Sequence, residues 1–279
     1  MFTQSVQLVS KSISQLFLQE YSNLYQVMNH VCFNFASRNS IGIIKTNKVS
    51  AMEKTKIYNL IILDKSGSMH DIRQSAINGF NETLGSIQAA QKKYADTQEH
   101  YLTFVTFCGC GIEYVHDNIK VSEAHKITSD DYEPCCVTPL YDAIGFTLSK
   151  MKKIIKKDED STAIVTIITD GEENASAEYN LQQVHALIHS LKEEGWTFAY
   201  MGTCHDVISV TTSLSITNVV TFERSQENTE EAFKKDRQAR ERFYDKVNCL
   251  RDSECMRETI SVSERKARYR NMQNEYFED

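Results

Sequence analysis

Ile57-Tyr-Asn-Leu-Ile-Ile-Leu63, followed at once by Asp64-Lys-Ser-Gly-Ser68, decides how this chain is read. The first stretch is a nearly unbroken apolar run of strand length, the pattern of a strand buried on both faces of a parallel sheet. The second halts it with a carboxylate and two hydroxyls at alternate positions, so that all three can face one centre. Gly67 lets the chain turn tightly between them. A helix is expected next, because Ile72, Ala76, Phe80, Leu84 and Ile87 recur at helical spacing.

The same grammar continues outward. Tyr101–Phe107 and Ile112–His116 read as a strand pair turned by Cys108-Gly-Cys-Gly111. Thr138-Pro-Leu-Tyr-Asp142 opens a helix with Leu140, Ile144, Leu148, Met151 and Ile155 inward. Ala163–Ile168 is a second continuous apolar strand, stopped by Thr169-Asp-Gly-Glu-Glu-Asn174. A helix on Leu181, Val184, Leu187, Ile188 and Leu191, a strand at Thr197–Met201, a short helix near Val207 and a strand at Asn218–Phe222 complete the series. Strand and helix alternate throughout, so the expected class is α/β with a mostly parallel sheet.

The two ends differ from this middle. Residues 1–51 hold one acidic residue, Glu20, against the basic Lys11, Arg38, Lys45 and Lys48. They are read as an N-terminal extension that is either helical, on Ile13, Phe17, Tyr21, Leu24, Met28 and Val31, or no part of the native product. Past Glu223 a closing helix is expected, capped by Asn228 or Thr229, with Phe233, Phe243, Val247 and Leu250 inward. Residues 249–279 are read as a charged C-terminal tail, solvated or partner-dependent from about Asp252.

Composition narrows the function. The 279 residues carry a net charge of −7, which speaks against nucleic acid as partner, since phosphate binding needs a surplus of Lys and Arg. No run approaches the roughly 20 apolar residues of a membrane span. Eight cysteines without a secretory signal point to reduced thiols and a cytoplasmic location.

Three polar loops supply oxygen donors: Asp64, Ser66 and Ser68 from the first, Thr138 from the second, and Asp170 from the third. Pro134 and Pro139, the only prolines in the chain, bracket Thr138 and stiffen its loop. Taken singly, each loop is an ordinary helix cap or turn. Taken together, they lie at or beside the carboxyl ends of the most buried strands, where open α/β sheets bind ligands. Three hydroxyls and two carboxylates are hard donors that suit Mg²⁺ or Mn²⁺ and disfavour zinc.

Asp64-x-Ser66-x-Ser68, Thr138-Pro-Leu-Tyr-Asp142-Ala and Thr169-Asp170-Gly171 together resemble the metal-ion-dependent adhesion site of von Willebrand factor type A domains, over roughly residues 55–248. Thr169-Asp-Gly-Glu-Glu-Asn-Ala-Ser176 and Met201-Gly-Thr-Cys-His-Asp206 further resemble the compact bacterial and phage members. The resemblance implies a doubly wound, six-stranded sheet of order 3-2-1-4-5-6 with one antiparallel edge strand and helices on both faces. It also implies Mg²⁺ held directly by Ser66 and Ser68 and partly through water by Asp64 and Asp170. Thr138 would be the ligand that changes distance when the site switches. The implied partner is a protein presenting an exposed Asp or Glu, met at a rim of His70, Glu172, Glu173 and His205.

A Mg-dependent phosphohydrolase using Asp64 as nucleophile is the alternative. It needs an acid two residues on to protonate the leaving group, and Ser66 stands there, so the chain is read as a non-enzyme. Cys108-x-Cys110 and Cys135-Cys136 are expected near the same face. Adjacent cysteines and the absence of C-x₂-C spacing favour reduced thiols filling loop packing over zinc.

Overall fold

The computed structural model describes residues 53–158, 160–203, 207–255, 261–273 and 276–277, all in the second of two units, Met1–Ala51 and Met52–Asp279. The readings of residues 1–51 and of Cys204, His205 and Asp206 lie outside the described residues. Within them the chain runs β1 (Thr55–Asp64), α1 (Arg73–Lys93), β2 (Gln98–Cys108), β3 (Gly111–Lys120), α2 (Leu140–Ile155) and β4 (Ser161–Thr169). It continues through α3 (Leu181–Glu193), β5 (Thr197–Thr203), α4 (Val207–Ser213), β6 (Asn218–Phe222), α5 (Gln226–Cys255) and α6 (Val262–Met272). Short 3₁₀ turns cover Gly67–Ile72 and Val121–Glu123.

The strands form one sheet of order β3-β2-β1-β4-β5-β6, parallel throughout except for β2 against β3. The fold is the expected doubly wound α/β architecture. Residues of β1 alternate between its faces. Tyr58, Leu60 and Ile62 pack with α2, α3 and α4, while Ile57, Ile61 and Leu63 pack with α1, α5 and α6. Helices cover both faces, so the unbroken apolar runs at β1 and β4 follow directly. Gly79 on α1 lets the Phe233 ring of α5 approach to where a side chain would stand: an added Cβ would lie 2.3 Å from it.

Register positions the site. Parallel pairing sets Leu63 beside Ile168 and Asp64 beside Phe107, so β1, β2 and β4 end together. Sequence order reverses between β1 and β4, which opens a crevice at their carboxyl ends.

The C-terminal end differs from its expected form in two ways. Ser225 caps α5, its Oγ accepting from Asn228 N at 3.2 Å, whereas Thr229 turns its hydroxyl back to the Ser225 carbonyl at 2.7 Å. Beyond α5 the chain is not a solvated tail. A capping box between Ser261 and Glu264 starts α6, and Tyr269, Met272 and Tyr276 are buried beside Ile57, Ile164 and Ala199. Tyr269 and Met272 anchor the helix among charged neighbours, and Tyr276 packs beyond its end, without a periodic stripe. Among the described residues no helix is long and apolar enough to cross a membrane.

One buried titratable group makes a pH prediction. His100 on β2 sets its ring edge-on to Tyr244 at 4.6 Å, and burial lowers its pKa to about 3. The folded pKa is depressed below the unfolded value of 6.5, so this contribution to stability is present above pH 6.5 and is lost as pH falls toward 3. Each pH unit in that window removes about 1.4 kcal/mol. Urea midpoints of His100→Phe and the native protein, taken from pH 7 to pH 4, should diverge in slope, with the variant flatter. Parallel curves would show that His100 does not titrate on unfolding.

Candidate metal centre

Asp64 is the last residue of β1, and both its carboxylate oxygens are committed by short local bonds. Oδ1 accepts from Ser66 N at 2.6 Å, and Oδ2 accepts from the Thr169 hydroxyl at 2.6 Å. Its own carbonyl accepts from the Tyr132 hydroxyl at 2.5 Å. Ser66 Oγ lies 3.1 Å from Ser68 Oγ, and Ser68 Oγ donates to Asp170 Oδ1 at 2.5 Å. Asp64, Ser66, Thr138 and Asp170 are buried and Ser68 is half-buried.

Gly171 shows where these oxygens converge. A Cβ added there would stand 3.2 Å from Thr138 Oγ1, 3.4 Å from Ser68 Oγ and 3.8 Å from Asp64 Oδ2. Glycine leaves that cradle free. The five residues singled out by the sequence therefore meet in one place, drawn from β1, the loop before α2 and the end of β4.

The electrostatics suit a cation. Burial raises the Asp64 carboxyl to about 6, against the opposing effect of the Thr169 and Ser66 bonds, and burial also raises Asp170. Asp170 Oδ2 is buried without a hydrogen bond, facing Arg224 Nε at 3.1 Å. Two buried carboxylates at one crevice are costly as anions, and a divalent ion there would offset the charge that Arg224 leaves uncompensated. The donor set, all oxygen, fits such an ion.

The rim residues separate into two kinds. His70 is exposed beside Asp71, and Glu172 is exposed. Glu173 does not belong to a free rim. Its Oε1 accepts from Ala175 N and Ser176 N at 2.9 and 2.7 Å, and its Oε2 from Tyr141 N and Ser176 Oγ at 2.9 and 2.6 Å. Four donors hold that carboxylate inward, so it ties the Asp170 loop to the start of α2.

Sequence reasoning left several supporting residues without a role. Thr138 N donates to Asn174 Oδ1 at 2.9 Å, and the Asp142 carboxylate accepts from Ala177, Glu178 and Tyr179 N at 2.7–3.0 Å. Together with Glu173 they lock the second loop to the third. Arg224, just after β6, also donates to the Asp170 carbonyl at 2.6 Å. Asp142 sat in the quoted motif and so was within reach, but nothing local marked Arg224. The four loop cysteines are not enclosed packing either: Cys108 is buried, Cys135 half-buried, and Cys110 and Cys136 are exposed.

No family model and no curated relative matches this sequence. Solved structures do. Proximal thread matrix protein 1 from the mussel byssus, with a zinc-occupied MIDAS motif, aligns at 16% identity and TM-score 0.46, covering 65% of this chain and 47% of that one. The chain thus spans about half the length of that structure. The SpRpn10 VWA domain aligns at 7% identity and TM-score 0.45, covering 64% of this chain and 93% of that one. Manganese-loaded Plasmodium vivax TRAP protein aligns at 15% and 0.43, covering 64% and 72%. These likenesses are distant, and the strand order with its three converging loops carries the assignment. The fold is von Willebrand factor type A-like. The five donors stand at the crevice between β1 and β4.

Proposed function

We propose that this type A-like domain is a non-catalytic interaction module whose crevice holds Mg²⁺, with Mn²⁺ as the other suitable ion, through Asp64, Ser66, Ser68, Thr138 and Asp170. Its partner is a protein presenting an exposed Asp or Glu. The observation that supports this reading is the meeting of three hydroxyls and two carboxylates beside Gly171. That set roughly neutralises a divalent charge without enclosing it, whereas a closed calcium cage recruits more carboxylates. The bound ion supplies an electrophilic position that a hard anion can fill.

The chain's own residues define the rest. Thr169, Asn174, Asp142 and Glu173 hold the three loops in register, so the donors are arranged before any ligand arrives. His70 and Glu172, with His205 as a further rim residue, select the partner by shape and charge. Ser66 at the second position after Asp64 offers no acid to protonate a leaving group, which supports binding over phosphohydrolysis. Eight cysteines favour a reducing, intracellular compartment.

The test is a pull-down with Mg²⁺ and with chelator, followed by replacement of each exposed acidic residue on the partner's contact surface. Chelation should weaken binding at least tenfold, or about 1.4 kcal/mol, and Ser66→Ala with Ser68→Ala should imitate it. Thr138→Ala should weaken binding with less effect on ion occupancy. Binding that survives the chelator, or that needs no single acidic residue, would refute the carboxylate clamp.

A further inference from the structure

The β2–β3 turn and the Asp64 loop are both bonded through their backbones to the loop before Thr138. Gly109 N donates to Val137 O at 2.8 Å, Cys135 N to Lys65 O at 2.8 Å, and Gly67 N to Cys136 O at 3.0 Å. At Gly109 a Cβ would stand 2.6 Å from the Val137 side chain and 3.2 Å from the Cys136 Cβ, so the two loops approach closely there. Four thiols meet across this seam. Cys135 Sγ lies 3.4 Å from Cys108 Sγ and 3.8 Å from Cys110 Sγ, and Cys110 Sγ lies 3.2 Å from Cys136 Sγ. The ligand atoms of Cys108, Cys110 and Cys135 are all within 4.8 Å of one another.

We propose that Cys108, Cys110 and Cys135, with Cys136 against Cys110 as the fourth ligand, form a second metal centre, a thiolate site for one zinc ion that staples the β2–β3 turn to the loop delivering Thr138.

The spacing carries the chemistry. With Zn–S bonds of about 2.3 Å, the edge of a tetrahedral sulfur cage is about 3.8 Å, and the Cys135–Cys110, Cys135–Cys108 and Cys110–Cys136 separations of 3.8, 3.4 and 3.2 Å lie at or just under it. Apolar packing does not account for exposed Cys110 and Cys136, because neither thiol is enclosed. The adjacency of Cys135 and Cys136, awkward for a ligand pair in extended chain, is resolved by the backbone. Cys136 takes φ of 64°, a left-handed conformation rare outside glycine, and both neighbours then come within 3.8 Å of the same Cys110 sulfur. Such a conformation persists only where surrounding contacts hold it, and it concentrates at functional positions. Soft thiolates select zinc over Mg²⁺, while the all-oxygen set around Asp64 also suits hard ions such as Mg²⁺. Two centres a few residues apart can thus load different ions from one solution. On binding, each thiol releases its proton to solvent and zinc stays divalent.

The decisive experiment measures metal content and cobalt substitution on the full chain purified under reducing conditions. One equivalent of zinc should copurify, and replacement by Co²⁺ should produce thiolate-to-cobalt charge-transfer bands with the intense visible bands of tetrahedral coordination. Those bands should persist in Asp64→Ala, which disables the oxygen site, and vanish in Cys135→Ser. The milder Cys110→Ser and Cys136→Ser serve if Cys135→Ser does not fold, and each should weaken zinc retention at least tenfold. Reduced native protein with neither zinc nor cobalt–thiolate absorption would overturn the proposal. Bands that survive in all three cysteine variants, or disappear in Asp64→Ala, would overturn it equally.

Discussion

Replacing Arg240 with methionine lowers the unfolding free energy by about 3–5 kcal/mol, because it strands a carboxylate inside the domain. Arg240 is fully buried between α5 and the sheet. Its Nε donates to Asp236 Oδ2 at 2.7 Å, one terminal nitrogen to Asn59 Oδ1 at 3.1 Å, and the other to Thr166 Oγ1 at 2.6 Å. Asp236 Oδ1 accepts from Thr166 and from the Tyr276 hydroxyl, each at 3.0 Å, while Asn59 Oδ1 also accepts from Tyr244 at 2.5 Å. The cluster joins β1, β4, α5 and the segment after α6, so removing its only cation leaves Asp236 uncompensated in a dry site. For a domain of this size the loss corresponds to a melting-temperature drop of about 10 °C. Removing both charges with Asp236→Leu and Arg240→Met should cost less than Arg240→Met alone, since no charge is then left unpaired. Thermal melts of the two variants decide the matter. A single variant within about 0.5 kcal/mol of the native protein would show that water reaches Asp236.

On the proposed reading, Asp64→Ala should abolish a dependence of melting temperature on Mg²⁺. An ion that binds only the folded chain stabilises it by about 2.7 kcal/mol at one hundred times its dissociation constant, and without Asp64 that increment disappears. Asp64→Asn separates charge from shape. Its folded pKa is raised from 3.8 to about 6, so in the ion-free domain the protonated form contributes stability that is complete below 3.8 and lost as pH rises through 6. At pH 7 the ionised carboxylate therefore costs up to about 3 kcal/mol, and Asp64→Asn should raise ion-free stability while eliminating the ion response. Proton and ion compete for the same oxygens, so the Mg²⁺-induced shift of the native protein should be larger at pH 8 than at pH 5. A full metal response in Asp64→Ala would remove Asp64 from the site.

Much of this is legible in one dimension for a simple reason. A parallel strand covered on both faces has no polar side, so Ile57–Leu63 and Ala163–Ile168 stand out as apolar runs, and each donor lies within a few residues of a strand end or helix start. Strand order was reached through the resemblance of three loops, because periodicity says nothing about which strands are neighbours. The inward turn of Glu173, the bond from Thr169 to Asp64 and the ion pair of Arg224 with Asp170 were not legible. Nor was α6, whose anchoring Tyr269 and Met272 are scattered among charges. A pattern of apolar and polar residues reports where each side chain would go on its own. Arg240 reads as a surface residue in that code, yet it is buried because Asn59 and Thr166 arrive from β1 and β4 to accept its hydrogen bonds beside Asp236, one turn earlier on α5. The thiols of Cys110 and Cys136 are likewise 26 residues apart and lack zinc-like spacing, and they meet at 3.2 Å because pairing of β1 with β2 brings the turn after Cys108 against the loop that crosses Lys65. The Asp236–Arg240 pair lies within α5, but its burial and its partners on β1 and β4, like the thiol cluster, come into being only when the segments pack.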